Sequence, residues 1–138
     1  MSPVARLRLL LSVIALGASA AYGAGPERVV LQVSDADPKV WNQAVNVANN
    51  IRKELGKDNV QVEIVAFGQG IGMLRADAEI ATRVEDAAAG GVAVMACANS
   101  MRNYKIDKDD LTKHVGIVPA GVVEIMKRQR EGWLYLRP

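Results

Sequence analysis

Several residue types on which common chemistries depend are scarce in this sequence. The 138-residue chain has one cysteine, Cys97, and one histidine, His114. A lone cysteine cannot form an intramolecular disulfide, and it leaves no C-x-x-C pair for dithiol redox chemistry. A lone histidine excludes a His/Cys metal set within one subunit, and no metal or other cofactor is expected. The sequence has no Ser/His/Asp spacing and no nucleophile elbow, so hydrolase chemistry of that kind is not indicated.

A strong charge of one sign is also absent once the first residues are set aside. The whole chain carries a formal net charge of +2. Arg6 and Arg8 stand near its start without acidic neighbours, and removing them from the 17 basic residues leaves 15, against 15 acidic ones. A neutral domain has no electrostatic footprint for a phosphate backbone. We therefore expect no nucleic-acid partner.

Residues 1–24 have the order of a secretory signal peptide. Met1–Arg8 is positively charged, Leu9–Leu16 is apolar except for Ser12, and small residues fill Gly17–Ala24. This order predicts export, with cleavage within residues 20–24 and preferably after Ala20. An uncleaved anchor is the alternative, but the apolar run is well short of the ~20 residues that cross a bilayer. No other segment is long and apolar enough to span, so the mature protein is predicted to be periplasmic or secreted, without a membrane span.

The rest of the chain alternates strand and helix patterns. The predicted strands are Arg28–Val33, Asn59–Phe67, Val92–Ala96, Val115–Val118 and Trp133–Leu136. The predicted helical segments between them are Pro38–Leu55, Ala78–Ala89, Asn99–Tyr104, Asp107–Thr112 and Pro119–Glu131. Strands separated by helices form βαβ units, which build a mostly parallel sheet covered on both faces. The prediction is one α/β domain over residues 25–138, a three-layer sandwich with five strands.

Cys97 follows the short apolar strand Val92–Ala96 and precedes Asn99 and Ser100, which are residue types that begin helices. Backbone N–H groups at a helix start favour a thiolate, which makes a cysteine nucleophilic. The alternative is a buried cysteine that acts as a small apolar residue. The glycine-rich loop Gly68–Gly72 is expected at the same edge of the sheet. It fails as a dinucleotide fingerprint because Met73 takes the place of the third glycine, and a structural turn is preferred over an anion site.

Three runs of residues resemble the DsrE/DsrF-like family. They are ACANSM at 96–101, VGIVPAGV at 115–122 and QREGWLYLRP at 129–138, and the resemblance extends over nearly all of the mature chain. It implies a small α/β domain with a five-stranded sheet. The better understood relatives are sulfur-relay proteins that carry sulfur as a persulfide on one cysteine. The resemblance places Cys97 at that position, and it implies that Asn99 and Ser100 shape the cysteine's loop while Gly68 and Gly70 border the same crevice.

These observations lead to the hypothesis of a periplasmic DsrE-like sulfur carrier or sulfurtransferase that forms a persulfide on Cys97, with Asn99, Ser100, Gly68 and Gly70 as substrate-binding residues. Its expected partners are sulfur donor and acceptor proteins and further copies of the chain, as a trimer or hexamer. The alternative is a non-catalytic module that binds a small ligand or a partner and holds an inert cysteine. A third reading is an oxidant-sensing thiol that forms a mixed or intersubunit disulfide.

Overall fold

The computed structural model describes residues 25–138, so the predicted signal peptide at 1–24 lies outside the described residues. Strands β1 to β5 are Glu27–Val33, Val60–Ala66, Ala93–Cys97, Gly116–Val118 and Leu134–Leu136. Helices α1 to α4 are Pro38–Leu55, Ala81–Ala89, Ala98–Asn103 and Gly121–Arg130, and 3-10 helices cover Gly68–Leu74 and Lys108–Asp110. The sheet has the order β4-β3-β2-β1-β5, and all its neighbouring strands are parallel. The predicted α/β fold with a five-stranded sheet is confirmed.

Helix α1 begins and ends at the predicted residues. Asp37 accepts a hydrogen bond from the Lys39 N–H at 2.8 Å, and Pro38 occupies the first turn, where its missing N–H leaves no bond unmade. Gly56 ends the helix at φ +90°, a backbone conformation that side chains disfavour. Helix α4 begins two residues later than predicted because Ala120 is still extended at φ −145°. Helix α2 likewise begins at Ala81, after a run of turns, and not at Ala78.

The two faces of the sheet are covered unequally. Helices α1 and α2 and the 3-10 helix at Gly68–Leu74 pack on one face, over a large apolar core that includes Leu31, Ile64 and Val94. Helix α4 packs on the opposite face, against β1, β2 and β3. The fully buried apolar residues beneath it form a much smaller cluster of Val30, Val65 and Ile125. The attachment of α4 therefore depends on fewer apolar contacts than that of the helices opposite.

Side-chain burial departs from strand periodicity at two places. The alternation in β2 groups Glu63 with the exposed Gln61, yet Glu63 is fully buried because α4 covers that position. Among the alternating residues at 133–136, Trp133 packs partly buried against the cluster beneath α4, whereas Leu134, Tyr135 and Leu136 are exposed. β5 is an edge strand beside β1. These differences arise from the reach of α4 across the sheet, which strand periodicity does not report.

Candidate functional site

Cys97 is the last residue of β3 and stands directly before helix α3. β3 is an interior strand between β2 and β4, so Cys97 lies at the carboxyl edge of a parallel sheet. Ligands and reactive groups of such sheets collect at this edge. Along β3, Cys97 has the same parity as Met95, and it lies on the face that α4 covers. The predicted position of the thiol at a strand end before a helix start is confirmed.

The surroundings of the Cys97 sulfur favour its ionised form. Burial raises the pKa of the thiol, since only 4 % of the residue is exposed. Hydrogen bonds from the Ser100 hydroxyl and from the backbone N–H groups of Gly121, Ser100 and Asn99 act in the opposite direction. Together these hydrogen bonds outweigh the effect of burial, so the pKa of the thiol lies below its ordinary value.

Ser100 connects the cysteine to the glycine-rich loop. Its side chain is buried, and its hydroxyl oxygen accepts a hydrogen bond from the Gly68 N–H at 2.7 Å. A hydroxyl has one proton to donate, and with the oxygen engaged by Gly68 that proton is free to point at the sulfur. Gly68 has φ +55°, a conformation that glycine adopts without strain. The structure therefore brings Ser100 and Gly68 together beside Cys97.

Helix α4 closes the site from the other side. A Cβ atom built at Gly121 would stand 3.2 Å from the Cβ of Cys97 and 3.0 Å from that of Phe67. These distances are shorter than those of most Cβ contacts, so the absence of a side chain at Gly121 lets the first turn of α4 bring its N–H to the sulfur without displacing its neighbours. Gly121 occurs in one of the runs that resemble the family, but sequence reasoning gave it no role. Its contribution depends on a contact between elements that are distant along the chain.

The other candidate residues lie further from the sulfur. The Asn99 side chain is exposed and accepts a hydrogen bond from Arg102, so only its backbone N–H acts on Cys97. Gly70 is buried against the end of β1, where a Cβ would meet the Val33 carbonyl oxygen at 2.3 Å. Its place in the structure is explained by this packing. The binding roles of these residues and of Ser100 and Gly68 stay predictions.

His114 lies just before the amino end of β4, whereas Cys97 lies at the carboxyl end of β3. The histidine lies two residues before β4, whose first residue, Gly116, pairs with Met95. His114 itself stands in a turn at φ +64°, outside the paired residues of the two strands. Since β3 and β4 are parallel, the histidine and the thiol lie towards opposite edges of the sheet.

Four clefts on the surface of residues 25–138 have linings that do not include Cys97. One of about 610 Å³ lies at the amino edge of the sheet, between Arg52, Glu63, Arg128 and Trp133. Within the described part of the chain, no three His, Cys, Asp or Glu side chains are grouped as metal ligands. No helix in that part is long and apolar enough to cross a membrane.

A buried ionic cluster lies under the other end of α4. Arg128 reaches Glu63 at 2.8 Å and Glu124 at 2.9 Å, and its guanidinium lies 4.6 Å from the centre of the Trp133 ring. This cluster was not predicted from the sequence. One signal was present, since Glu63 stands between the apolar residues Val62 and Ile64. Glutamate is almost never fully buried without a charged partner.

With the geometry established, comparisons place the chain among known proteins. The DsrE/DsrF-like family matches residues 29–138. Protein MTH1491 from Methanobacterium thermoautotrophicum, described as of unknown function, is 35 % identical, with a TM-score of 0.77 over 81 % of this chain and 99 % of that one. Its sequence and its fold are both similar to those of this chain.

Two further solved structures share the fold at low sequence identity. Protein BT1422 from Bacteroides thetaiotaomicron is 16 % identical, with a TM-score of 0.66 over 81 % of this chain and 95 % of that one. The E. coli ychN protein is 15 % identical, with a TM-score of 0.63 over 82 % and 99 %. At these identities the similarity shows the fold alone. No curated protein matches the chain.

Proposed function

The chain belongs to the DsrE/DsrF-like family, and from that premise we propose that it is a sulfur carrier that holds sulfane sulfur as a persulfide on Cys97. The observation that carries the proposal is the set of donors around the sulfur. Four hydrogen-bonding groups favour the thiolate strongly enough to outweigh burial. A thiolate is the form of cysteine that attacks sulfur. The position of Cys97 within the family's cysteine motif supports the same assignment.

The proposed reaction is an exchange at sulfur that needs no external oxidant. The Cys97 thiolate attacks the outer sulfur of a donor persulfide, a new S–S bond forms, and the donor's own S–S bond breaks. The electron pair of that bond leaves on the donor, which departs as a thiolate. In the second half, an acceptor thiolate attacks the outer sulfur on Cys97, and Cys97 leaves as a thiolate. The same donors, Ser100 and the N–H of Gly121, stabilise Cys97 both as nucleophile and as leaving group.

Intact mass spectrometry tests this proposal directly. After exposure to an inorganic polysulfide, the native chain is expected to gain one or more sulfur atoms, about 32 Da each, and Cys97→Ser is expected to gain none. Sulfide alone is the matched reagent control, because sulfide contains no sulfane sulfur and would need an oxidant to form a persulfide. Alkylation of unfolded protein confirms that the thiol is free. No mass gain on a free thiol would contradict the proposal.

The second candidate function is a non-catalytic binding module with an inert cysteine. The burial of Cys97 favours it, because a thiol that is 4 % exposed meets few reagents. The clefts located away from Cys97 would then hold the ligand or partner. Under this alternative, Cys97 of the folded chain neither takes up sulfur nor reacts with a small alkylating reagent, whereas the unfolded chain reacts normally.

We also propose that the chain self-associates, as its family resemblance implies. Six of the nine large exposed apolar residues of the described domain lie on α4 and on the edge strand β5: Val122, Val123, Met126, Leu134, Tyr135 and Leu136. Large exposed apolar patches mark interaction sites. Light scattering is expected to give the mass of a trimer or hexamer. Val123 is 56 % exposed, so Val123→Glu is expected to weaken self-association without unfolding the chain. A monomeric mass for the native chain would contradict this.

Export is proposed on the sequence of residues 1–24. The intact mass of untreated protein from the periplasm is expected to match a chain whose first residue lies within 21–25, as cleavage after one of residues 20–24 requires. A mass that retains Met1 would contradict the proposal. This measurement uses the same untreated sample as the sulfur-uptake experiment, so it needs no separate preparation.

A further inference from the structure

Helix α4 makes contacts at both of its ends that bear on Cys97. Its first residue, Gly121, supplies an N–H to the sulfur, and Arg128, two turns later, contacts Glu63 of β2. Glu63 pairs with Ala93 in the sheet, so it lies four residues, or about 13 Å along the strands, from the level of Cys97. Seven residues of helix rise about 10 Å. One rigid element therefore spans the distance between the buried carboxylate and the thiol.

The carboxylate of Glu63 is poorly compensated where it lies. It is fully buried, and neither of its oxygens has a hydrogen bond of good geometry, although Arg128 approaches to 2.8 Å. Arg128 is shared with Glu124 at 2.9 Å and with Glu131 at 3.3 Å. One cation thus serves three carboxylates. Lifting α4 would return Glu63 to water, which an ionised carboxylate prefers strongly and a protonated one much less.

We infer that ionisation of Glu63 releases α4 from the sheet and thereby opens the route to the Cys97 thiol, so that Glu63 and Arg128 are positioning residues for the sulfur chemistry. The inference rests on the proposed function in treating Cys97 as the reacting atom. The apolar cluster beneath α4 is small, so few buried apolar contacts hold this helix to the sheet. The first turn of α4 also forms part of the enclosure of the thiol.

The charged groups around Glu63 determine the sign of the effect. From α4 and the residue that follows it, Arg128 and Glu124 contact or face Glu63, and Glu131 competes for Arg128. The flanking strand residues, Val30 and Ala93, carry no charge. Further charged groups lie over Trp133 or around the adjoining cleft, namely Arg28, Arg52, Lys57 and Asp58.

Burial raises the pKa of Glu63 from 4.5 to about 7; Arg128 lowers it and Glu124 raises it. At a pH between these two pKa values, Glu63 is protonated when α4 is closed over it and ionised when it is exposed to water. A rise in pH through this window therefore favours the open state, and above pH 7 the effect levels off. From pH 6 to pH 8, the linkage between the two pKa values gives an increase of about tenfold in the opening constant of α4.

Hydrogen exchange on the full chain, followed by mass spectrometry at pH 6 and pH 8, tests the inference. After correction for intrinsic exchange rates, the opening constant of α4 peptides is expected to rise about tenfold relative to that of β2 peptides. The rate of Cys97 alkylation, divided by the thiolate fraction, is expected to rise in parallel. If α4 and β2 change together, the opening is global and the inference is overturned.

Three variants sharpen the test. Glu63→Gln keeps the shape of the side chain but cannot ionise, so its α4 is expected to show no change between the two pH values; Arg128 remains paired with Glu124 and Glu131. Glu124→Gln removes a group that raises the pKa of Glu63, so the transition is expected to move to lower pH. Glu54→Gln, at an exposed position of α1, is the control and is expected to behave as the native chain.

The outcomes separate this inference from the proposed function. A native pH response in Glu63→Gln overturns the inference, and sulfur uptake on Cys97 would still stand. Loss of the response in Glu63→Gln together with no sulfur uptake contradicts the carrier function while the opening of α4 stands. If Glu63→Gln does not fold, the direction of the shift in Glu124→Gln decides, and an unchanged or higher transition pH overturns the inference.

Discussion

Gly70→Ala is expected to destabilise the chain by about 3 kcal/mol or more, because the added methyl group has no room. The new Cβ would stand 2.3 Å from the carbonyl oxygen and 2.6 Å from the carbonyl carbon of Val33, and 2.9 Å from the nitrogen of Ser34. All three atoms belong to the backbone of the segment that leaves β1, so no side-chain rotation relieves the overlap. The 3-10 helix at Gly68–Leu74 would have to separate from β1.

Thermal unfolding measures the effect of Gly70→Ala. A loss of this size lowers the Tm of a domain of about 110 residues by roughly 10 °C or more. Gly25→Ala is the matched control, because a Cβ at Gly25 meets no atom within 4 Å. The control is expected to stay within about 0.5 kcal/mol of the native chain. Equal melting temperatures for the two variants would contradict the packing assigned to Gly70.

Gly121→Val is expected to lower the ratio of thiolate to thiol at Cys97 on the order of tenfold at a given pH, because it removes a hydrogen bond to a charged group. A Cβ at Gly121 would already stand 3.2 Å from both the Cβ of Cys97 and the Cγ1 of Val65, and 3.0 Å from the Cβ of Phe67. Valine adds two further methyl groups in the same space. The first turn of α4 must then move outward, and its N–H leaves the sulfur.

The thiolate population of Gly121→Val is read from its absorbance near 240 nm, which depends on ionisation and not on access. Gly121→Ala, with a smaller side chain, is expected to give a smaller change in the same direction. Retention of the native thiolate population in Gly121→Val, with α4 shown to be folded, would mean that the Gly121 N–H contributes nothing to the thiol. The graded pair thus separates loss of the hydrogen bond from general damage to the fold.

Local signals in the sequence were sufficient to predict the order of the elements. Asp37 with Pro38 predicted the start of α1, and Gly56 predicted its end, because caps are local interactions. Alternation predicted β2, and a short apolar run placed β3 before Cys97. The structure departs from prediction where one element covers another. The burial of Glu63 and the exposure of β5 depend on which strands α4 reaches, and periodicity along a strand does not contain that information.

The candidate site, like the fold, was predictable only where local sequence patterns determine it. Cys97, Asn99 and Ser100 are adjacent in sequence, so their placement at a strand end and helix start could be predicted from local patterns. The hydrogen bond between Ser100 and Gly68 joins residues 32 positions apart, and the Gly121 N–H comes from the opposite layer. Contacts of this kind follow from the packed fold. The sequence therefore placed Cys97 beside Asn99 and Ser100, but it did not show the contact with Gly121.

The central claim is that the packed fold lowers the pKa of the Cys97 thiol. A pH titration of the 240 nm absorbance tests this claim most directly, with Cys97→Ser subtracted as the blank and the unfolded native chain as the reference. The folded chain is expected to titrate at lower pH than the unfolded chain, because the donors from Ser100, Gly121 and Asn99 outweigh burial and lower the pKa of the thiol. A folded midpoint equal to or above the unfolded one would contradict the account.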